Sequence, residues 1–353
     1  MAKQPDKYDE KYFKSLMQSN LLYSRSDMAW YSKFSRFGYI DPYNRLGPTK
    51  EYLFFTKPDL HIWEPGTTDL NPQLKKYTYF KELNKNYPYV IQMLQKSAGL
   101  YKDDYAASTP FIPLLSNAVK STLDLDDITA DDVESAATAY GSKIMYRKHT
   151  TVQDENIDFT LEFEDSKYLE IYHFVKAYDQ YNRLAQYGIV DPPNIDKAST
   201  VGGWNYNSYV KNRELIDTMG IYKIIVDEDY ETIIYAAYIC GAYIKNVPRS
   251  SFSDITAPGD PLKYSISFHA FSVEDEDPAI LYDFNNLIST AYATNGIAPG
   301  VDLPIYDTNM DRMNGEWAAC PWIVKVNKKD VNSKAWLSNK GSKYKYKLKW
   351  RKI

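Results

Sequence analysis

The chain has 353 residues, a formal net charge of −4 and a 44% share of hydrophobic residues. That is room for two domains or one large one around a real core. The slightly acidic balance excludes a general nucleic-acid binder, and no run is apolar for long enough to suggest a membrane span. The opening residues MAKQPDKYDEKYF lack the apolar core of a signal peptide, so a soluble protein made in a cytoplasm is expected. There are 33 tyrosines against 14 Phe and 7 Trp. A tyrosine ring packs while its hydroxyl stays wet, which suits sheets and protein–protein surfaces; simple compositional bias gives the same count. Cys240 and Cys320 sit in apolar stretches and read as buried thiols of a reducing compartment, with a single disulfide left open.

In chain order, residues 1–50 are irregular, with a short helix expected over Asp9 to Asn20. Breakers (DP, LGP, KP, EPG) allow only short strands up to residue 82. The best runs from Glu51 to Thr56, nearly continuously apolar, as in a strand covered on both faces. From 83 to 141 the pattern turns helical. Tyr89 to Leu94 reads as helix with Pro88 in its first turn, Pro113 to Lys120 as a second, and TADDVESAATAYG from Thr129 as a third, with a Thr cap, an acidic first turn and a closing Gly141.

Strands return after Gly141, first over Lys143 to His149. The cleanest unit follows, from Asn156 to Gly188. Ile157, Phe159, Leu161 and Phe163 alternate with Asp158, Thr160, Glu162 and Glu164, the period of a strand with one buried face. Then Tyr168, Ile171, Tyr172, Val175 and Tyr178 form a helical stripe aimed at a sheet. A long loop with breakers covers 189–212. Ile221 to Val226 is a strand followed by an acidic turn, and Ile233 to Val247 fits strand or helix. Leu262 to Val273 alternates, with Leu262, Tyr264, Ile266, Phe268 and Ala270 inward. A short helix follows EDEDP, Ala319 to Val326 is a strand, and KYKYKLKWRKI closes the chain. There Tyr344, Tyr346, Leu348 and Trp350 face one way and the lysines and Arg351 the other. Residues 161–172 and 269–284 both run strand, acidic turn, helix; a duplicated sheet element and coincidence both explain this.

Chemistry is sparse. His61, His149, His173 and His269 lack ligand spacing for zinc or iron. The acidic clusters at 162–165, 227–229 and 274–277 lack the spaced oxygens and mid-loop Gly of a calcium site and read as turns and helix starts. No metal, cofactor or catalytic set is expected, although a glycosidase carboxylate pair could hide among so many acids. Val201 to Trp204 is too weak for a phosphate loop. The terminal strand admits three readings: a nucleic-acid backbone contact, a lysine-guarded edge, or a strand added to a neighbouring subunit's sheet.

The strand–helix unit ending in Tyr-Gly, the strand at Tyr264-Ser-Ile-Ser-Phe, the terminal alternating strand and YLFFTKPDL at 52–60 together resemble phage tail-tube proteins and the tube-initiator or cap proteins of contractile-tail baseplates. The resemblance covers about half of the chain, mostly 143–190 and 262–275, through degenerate patterns. It implies an α+β, β-rich fold: a tail-tube-like β-sandwich or barrel with a flanking helix and a helical insertion. The chain then divides into an N-terminal arm over 1–82, a helical insertion over 83–141 and a tail-tube-like β domain over 142–353. The insertion departs from a minimal tube protein. The implied role is structural and non-enzymatic, in a tailed-phage virion at the baseplate–tail tube junction, assembled in the host cytoplasm as a ring, expected to be a hexamer. Its partners would be neighbouring tube and baseplate proteins, with DNA only passing through a lumen faced by Asp158, Glu162 and Glu164, and no membrane. Tyr344, Tyr346, Leu348 and Trp350 would form the assembly strand. The alternatives are a neck or tail-completion protein and a glycan-binding or glycan-active β protein.

Overall fold

Alternation decides the centre of the fold. Ile157, Phe159, Leu161 and Phe163 are buried, and Asp158, Thr160 and Glu162 are exposed. The structure is a computed structural model that describes residues 49–64, 68–96, 109–125, 132–136, 143, 145–147, 155–166, 168–190, 217–227, 230–249, 263–275, 277–294, 319–327 and 344–352. The chain divides into two compact units, one of Met1–Thr49 and Lys325–Tyr346, the other of Lys50–Val324 and Lys347–Ile353. The main sheet, its helices and their contacts belong to the second.

The elements are β1 (Lys50–Phe55), a 3-10 turn (Leu74–Lys76), α1 (Thr78–Asn86), α2 (Pro88–Leu94), α3 (Pro113–Ala118), β2 (Asp132–Glu134), β3 (Met145–Arg147), β4 (Glu155–Glu164), α4 (Glu170–Gln186), β5 (Met219–Val226), β6 (Ile233–Ile244), β7 (Lys263–Asp275), α5 (Pro278–Thr294), β8 (Ala319–Asn327) and β9 (Tyr344–Lys352). Five strands form one antiparallel sheet in the order β1-β5-β6-β7-β4. β2 pairs with β3, and β8 with β9. The protein is therefore α+β and strand-rich, as the sequence predicts, with the sheet curled into a half-barrel.

The curl is visible in the rings. Phe55 on edge strand β1 lies 6.0 Å from Phe163 on the opposite edge strand β4, and 6.1 Å from Phe268 on β7 (centroid distances). The segment around α3 spans the gap between the two edges. At one end the Ile112 N–H donates to the Phe55 carbonyl at 2.7 Å, and at the other the Lys120 N–H donates to the Glu162 carbonyl at 2.8 Å. Inside the curl, α4 contributes Ile171, Phe174, Val175, Tyr178 and Tyr181, all buried in the same core as α1 and α2. Each such side chain contributes roughly 1.5–3 kcal/mol when fully buried.

The acidic turns start helices. Asp165 accepts from the N–H groups of Ile171 (3.1 Å) and Tyr172 (3.2 Å) in the first turn of α4. Asp277 accepts from the Ala279 N–H at 2.8 Å, just before Pro278 opens α5. These are the unpaired amides that a helix leaves at its N-terminus. Gly188, at φ +70, closes α4. Its N–H donates to the Ala185 carbonyl and that of Ile189 to Leu184, the paired bonds of a left-handed helix end.

Several expectations need correction. Residues 132–134, read as part of a helix, form β2 instead, with Asp132, Val133 and Glu134 opposite Arg147, Tyr146 and Met145; strand pairing overrides the cap signal, 135–136 are not helical either, and 129–131 and 137–141 lie outside the described residues. Tyr168 is 63% exposed because the helix starts only at Glu170, after Leu169 turns left-handed (φ 56). α5 is seventeen residues long rather than short. Cys240 is an exposed free thiol, not a buried one, since its neighbour Ile239 takes the inward position. The ambiguous run from Ile233 is a strand because β5 and β7 flank it on both sides. The expected helix at Asp9 to Asn20, Leu262 and the segment Val201 to Trp204 lie outside the described residues.

Candidate assembly surface

The outer side of the β4–β7 end of the sheet is polar and open. Register places Asp158 opposite His269, Thr160 opposite Ser267 and Glu162 opposite Ser265. Asp158 is held by two neighbours, His269 Nδ1 at 2.6 Å and Lys245 Nζ at 2.9 Å. Hydrogen bonds from Lys245 and then His269 keep its carboxyl below the usual carboxylate range. Thr160 and Ser267 hydroxyls lie 3.1 Å apart. Asn246 bonds both Ser267 N–H (2.7 Å) and Ser265 carbonyl (3.2 Å), which extends the β6 side of the ladder past its last residue. His269 packs beside Tyr243, and Phe271 stands partly exposed next to them. Phe271 occupies the space above Gly241, where an added Cβ would come within 2.3 Å of its ring and where φ is +67.

The three carboxylates expected to line a lumen therefore share one face of β4 but differ in surroundings. Asp158 is paired twice. Glu164 is paired with Lys120 at 2.9 Å. Glu162 is exposed, and its main chain is engaged: its N–H donates to Ser121 Oγ at 2.8 Å and its carbonyl accepts from Lys120. The face is mixed in charge. Sequence reading missed Lys245 and the pairing role of His269, for which the signal is register: His269 stands directly across from Asp158, and Lys245, beside Ser267 just past the end of β6, reaches the same carboxylate diagonally across β7.

The same bonds define the outer edge of β4. In an antiparallel ladder, each residue turns its N–H and C=O to one neighbour and the next residue turns its own to the other. Glu162 points outward, so Thr160 and Asp158 do too. Among the described residues, no strand occupies that edge from 155 to 160.

The terminal strand carries the second set of predicted residues, Tyr344, Tyr346, Leu348 and Trp350, all in β9. Leu348 is 1% exposed, and its N–H donates to the Glu231 carbonyl at 2.8 Å. Trp350 packs 6.2 Å from both Tyr52 and Phe54. On the opposite face, Lys347 Nζ reaches Glu231 at 3.0 Å and Lys349 Nζ bonds the second oxygen of that carboxylate. Burial pushes the Glu231 carboxyl up, but the bonds from Lys349 and Lys347 outweigh it and hold the group below its ordinary value. The alternation thus has two uses, Trp350 onto β1 and the lysines at 347 and 349 onto the β5–β6 turn. Beneath Trp350, Phe54, Phe111, Tyr222 and Phe284 of α5 form a continuous aromatic layer.

Among the described residues, no three His, Cys, Asp or Glu side chains gather at metal-binding distance, and no helix is long and apolar enough to cross a membrane.

No family model and no curated protein matches the chain. Part of it is similar to solved subunits of contractile injection systems. One is the anti-feeding prophage cap that terminates the AFP tube, 11% identical over 47% of this chain and 82% of that one, with a TM-score of 0.26. Another is the PVC sheath/tube terminator in the extended state, 14% identical over 47% of this chain and 87% of that one, with a TM-score of 0.25. A third is a chain of the extended PVC sheath–tube complex, 11% identical over 47% and 82%, with a TM-score of 0.24.

Proposed function

We propose that this chain is a structural subunit of a phage tail or tail-like contractile particle, placed at an end of the tube such as the baseplate junction, where it assembles into a ring of identical copies. The observation that supports this most directly is the β4 edge. A curled sheet with one helix-filled face presents, among the described residues, an unpaired run of main-chain donors and acceptors at 155–160, beside an open polar face. Edges of that kind template pairing with another chain unless they are guarded. In the ring, Asp158, Glu162 and Glu164 lie toward the lumen. The pairing of Asp158 and Glu164 with cations leaves a wall of mixed charge, along which DNA passes without strong attraction or repulsion. Tube and baseplate proteins contact the helical region and the terminal strand, and the two boundaries at 82 and 141 separate an N-terminal arm, which lends β1 to the sheet, an insertion and the tube-like domain.

The test is electron microscopy of the purified protein beside a Thr160→Pro variant. Thr160 directs its N–H outward, so proline there removes an edge donor and leaves the bonds to β7 in place. The expected result is closed rings, of sixfold symmetry, for the native chain and folded monomers for the variant. Rings formed equally by the variant would remove β4 from the contact. A native chain that stays monomeric at high concentration and is missing from purified particles would overturn the reading.

A further inference from the structure

His173 sits on α4 where that helix meets α1 and α2. Its ring stacks on Tyr87, between α1 and α2, with centroids 4.6 Å apart and planes 29° from parallel. Tyr172 meets it edge-on at 5.8 Å. The Tyr79 hydroxyl of α1 donates to the His173 carbonyl at 3.3 Å, and the Tyr89 hydroxyl of α2 donates to Glu170, one turn earlier on α4, at 2.7 Å. Lys176 closes the layer, with its ammonium 4.8 Å from the Tyr79 ring and 5.6 Å from that of Tyr172. Tyrosines from α1, α2 and the joint between them thus grip one turn of α4. Within this grip, His173 Nδ1 is buried and has no hydrogen-bond partner among the described residues.

We infer that His173 makes the joint between α4 and the α1–α2 pair sensitive to pH, so that acidification loosens it. A neutral imidazole carries a proton on one nitrogen, but the cation carries one on each. Protonation therefore creates a charged donor at an atom that water does not reach, and that costs free energy. Lys176 adds a like charge on the same face, whereas Asp165, in the turn before α4, opposes it. Glu170 is engaged by Tyr89. Burial first and Lys176 second hold the imidazole below its ordinary value of 6.5. The direction follows from linkage: a histidine depressed in the folded state favours the open state once pH falls below its unfolded value. The joint is fully closed above about pH 6.5 and loosens as pH falls toward the lowered folded value. This inference stands apart from the assembly reading and concerns the folded chain in any state.

Amide hydrogen exchange of α1 and α2, corrected for the intrinsic pH dependence of exchange, tests it on the full chain. Between pH 7.5 and 5.0 the opening equilibrium is expected to rise by about three- to tenfold. His173→Phe keeps the stacked ring without the titration and should abolish that rise. Lys176→Met, should the first variant fold poorly, removes the like charge and should shrink the rise. Equal protection at both pH values in the native chain, or an undiminished rise in both variants, would overturn the inference. In the second case another group would carry the response.

Discussion

Phe55 and Phe163 belong to opposite edge strands of one sheet, yet their ring centroids lie 6.0 Å apart, and neither ring is exposed. Their contact measures the curl. Phe163→Ala opens a cavity where both edges and α3 meet, and phenylalanine truncations in cores cost about 3–5 kcal/mol. Tyr168→Ala, at an exposed turn, should stay within about 0.5 kcal/mol of the native chain. Urea unfolding of both variants checks the contrast, and equal midpoints would mean that the ring pair does not hold the curl.

Lys223 is a buried cation on β5. Its Nζ lies 3.4 Å from Glu51 of β1 and also bonds the Leu123 carbonyl, while the Leu123 N–H donates to the same glutamate at 2.8 Å. The pair fastens the chain after α3 to the sheet. Lys223→Met leaves the largely covered carboxylate with the Leu123 N–H but without its countercharge, which costs up to about 3 kcal/mol, the low end for a broken buried pair. Adding Glu51→Leu removes the orphaned charge and should recover much of that loss. A single variant as stable as the native chain would show the pair to be dispensable.

Asp165 caps α4 through two first-turn amides. Its replacement by alanine should lower stability by about 1 kcal/mol, within the usual 0.5–2 range for caps. The loss should be read in amide protection at Ile171 and Tyr172. Unchanged protection at those two positions would assign the cap to water or to Ser166.

Asp158 sets a pH dependence at the acid end. Lys245 and His269 depress its carboxyl below the reference value of 3.8. Its contribution to stability is therefore present above that value and is lost as pH falls through the lower folded one. Asp158→Asn should flatten this part of the acid limb, compared by urea unfolding at pH 5 and pH 2.5. The side chain is exposed, so high salt should shrink the difference. A native acid limb unaltered by the substitution would mean that the pairing adds nothing to folding.

The legible part of the fold was local. Alternation placed Ile157 to Phe163 and Tyr264 to Ala270, and helical spacing placed Val90 to Leu94 and Ile171 to Tyr178, because each pattern reports a nearby buried face. The acidic turns were legible as helix starts, and Asp165 and Asp277 are caps. Less was legible wherever a distant partner decides the outcome. Asp132 to Glu134 obeys the strand at Met145, and Cys240 is exposed through its place beside Ile239. Lys245 and His269 acquire a role only after three strands are brought into register. Glu231 follows the acidic cluster 227–229 in the sequence, with no sign there of a partner. It gains its function from lysines more than a hundred residues later, at 347 and 349.

Sheet order also determines when the protein can finish folding. β1 is made early, yet its ladder partner is β5, with Lys50 to Phe55 opposite Val226 to Ile221. Leu53, Phe54 and Phe55, nearly inaccessible in the finished molecule, must therefore wait through synthesis of both helical stretches and β4 before anything covers the ladder side of their strand. Contacts so far apart in sequence close slowly, and a waiting apolar strand is an aggregation hazard. A step that waits for late synthesis is thus built into the topology of the sheet.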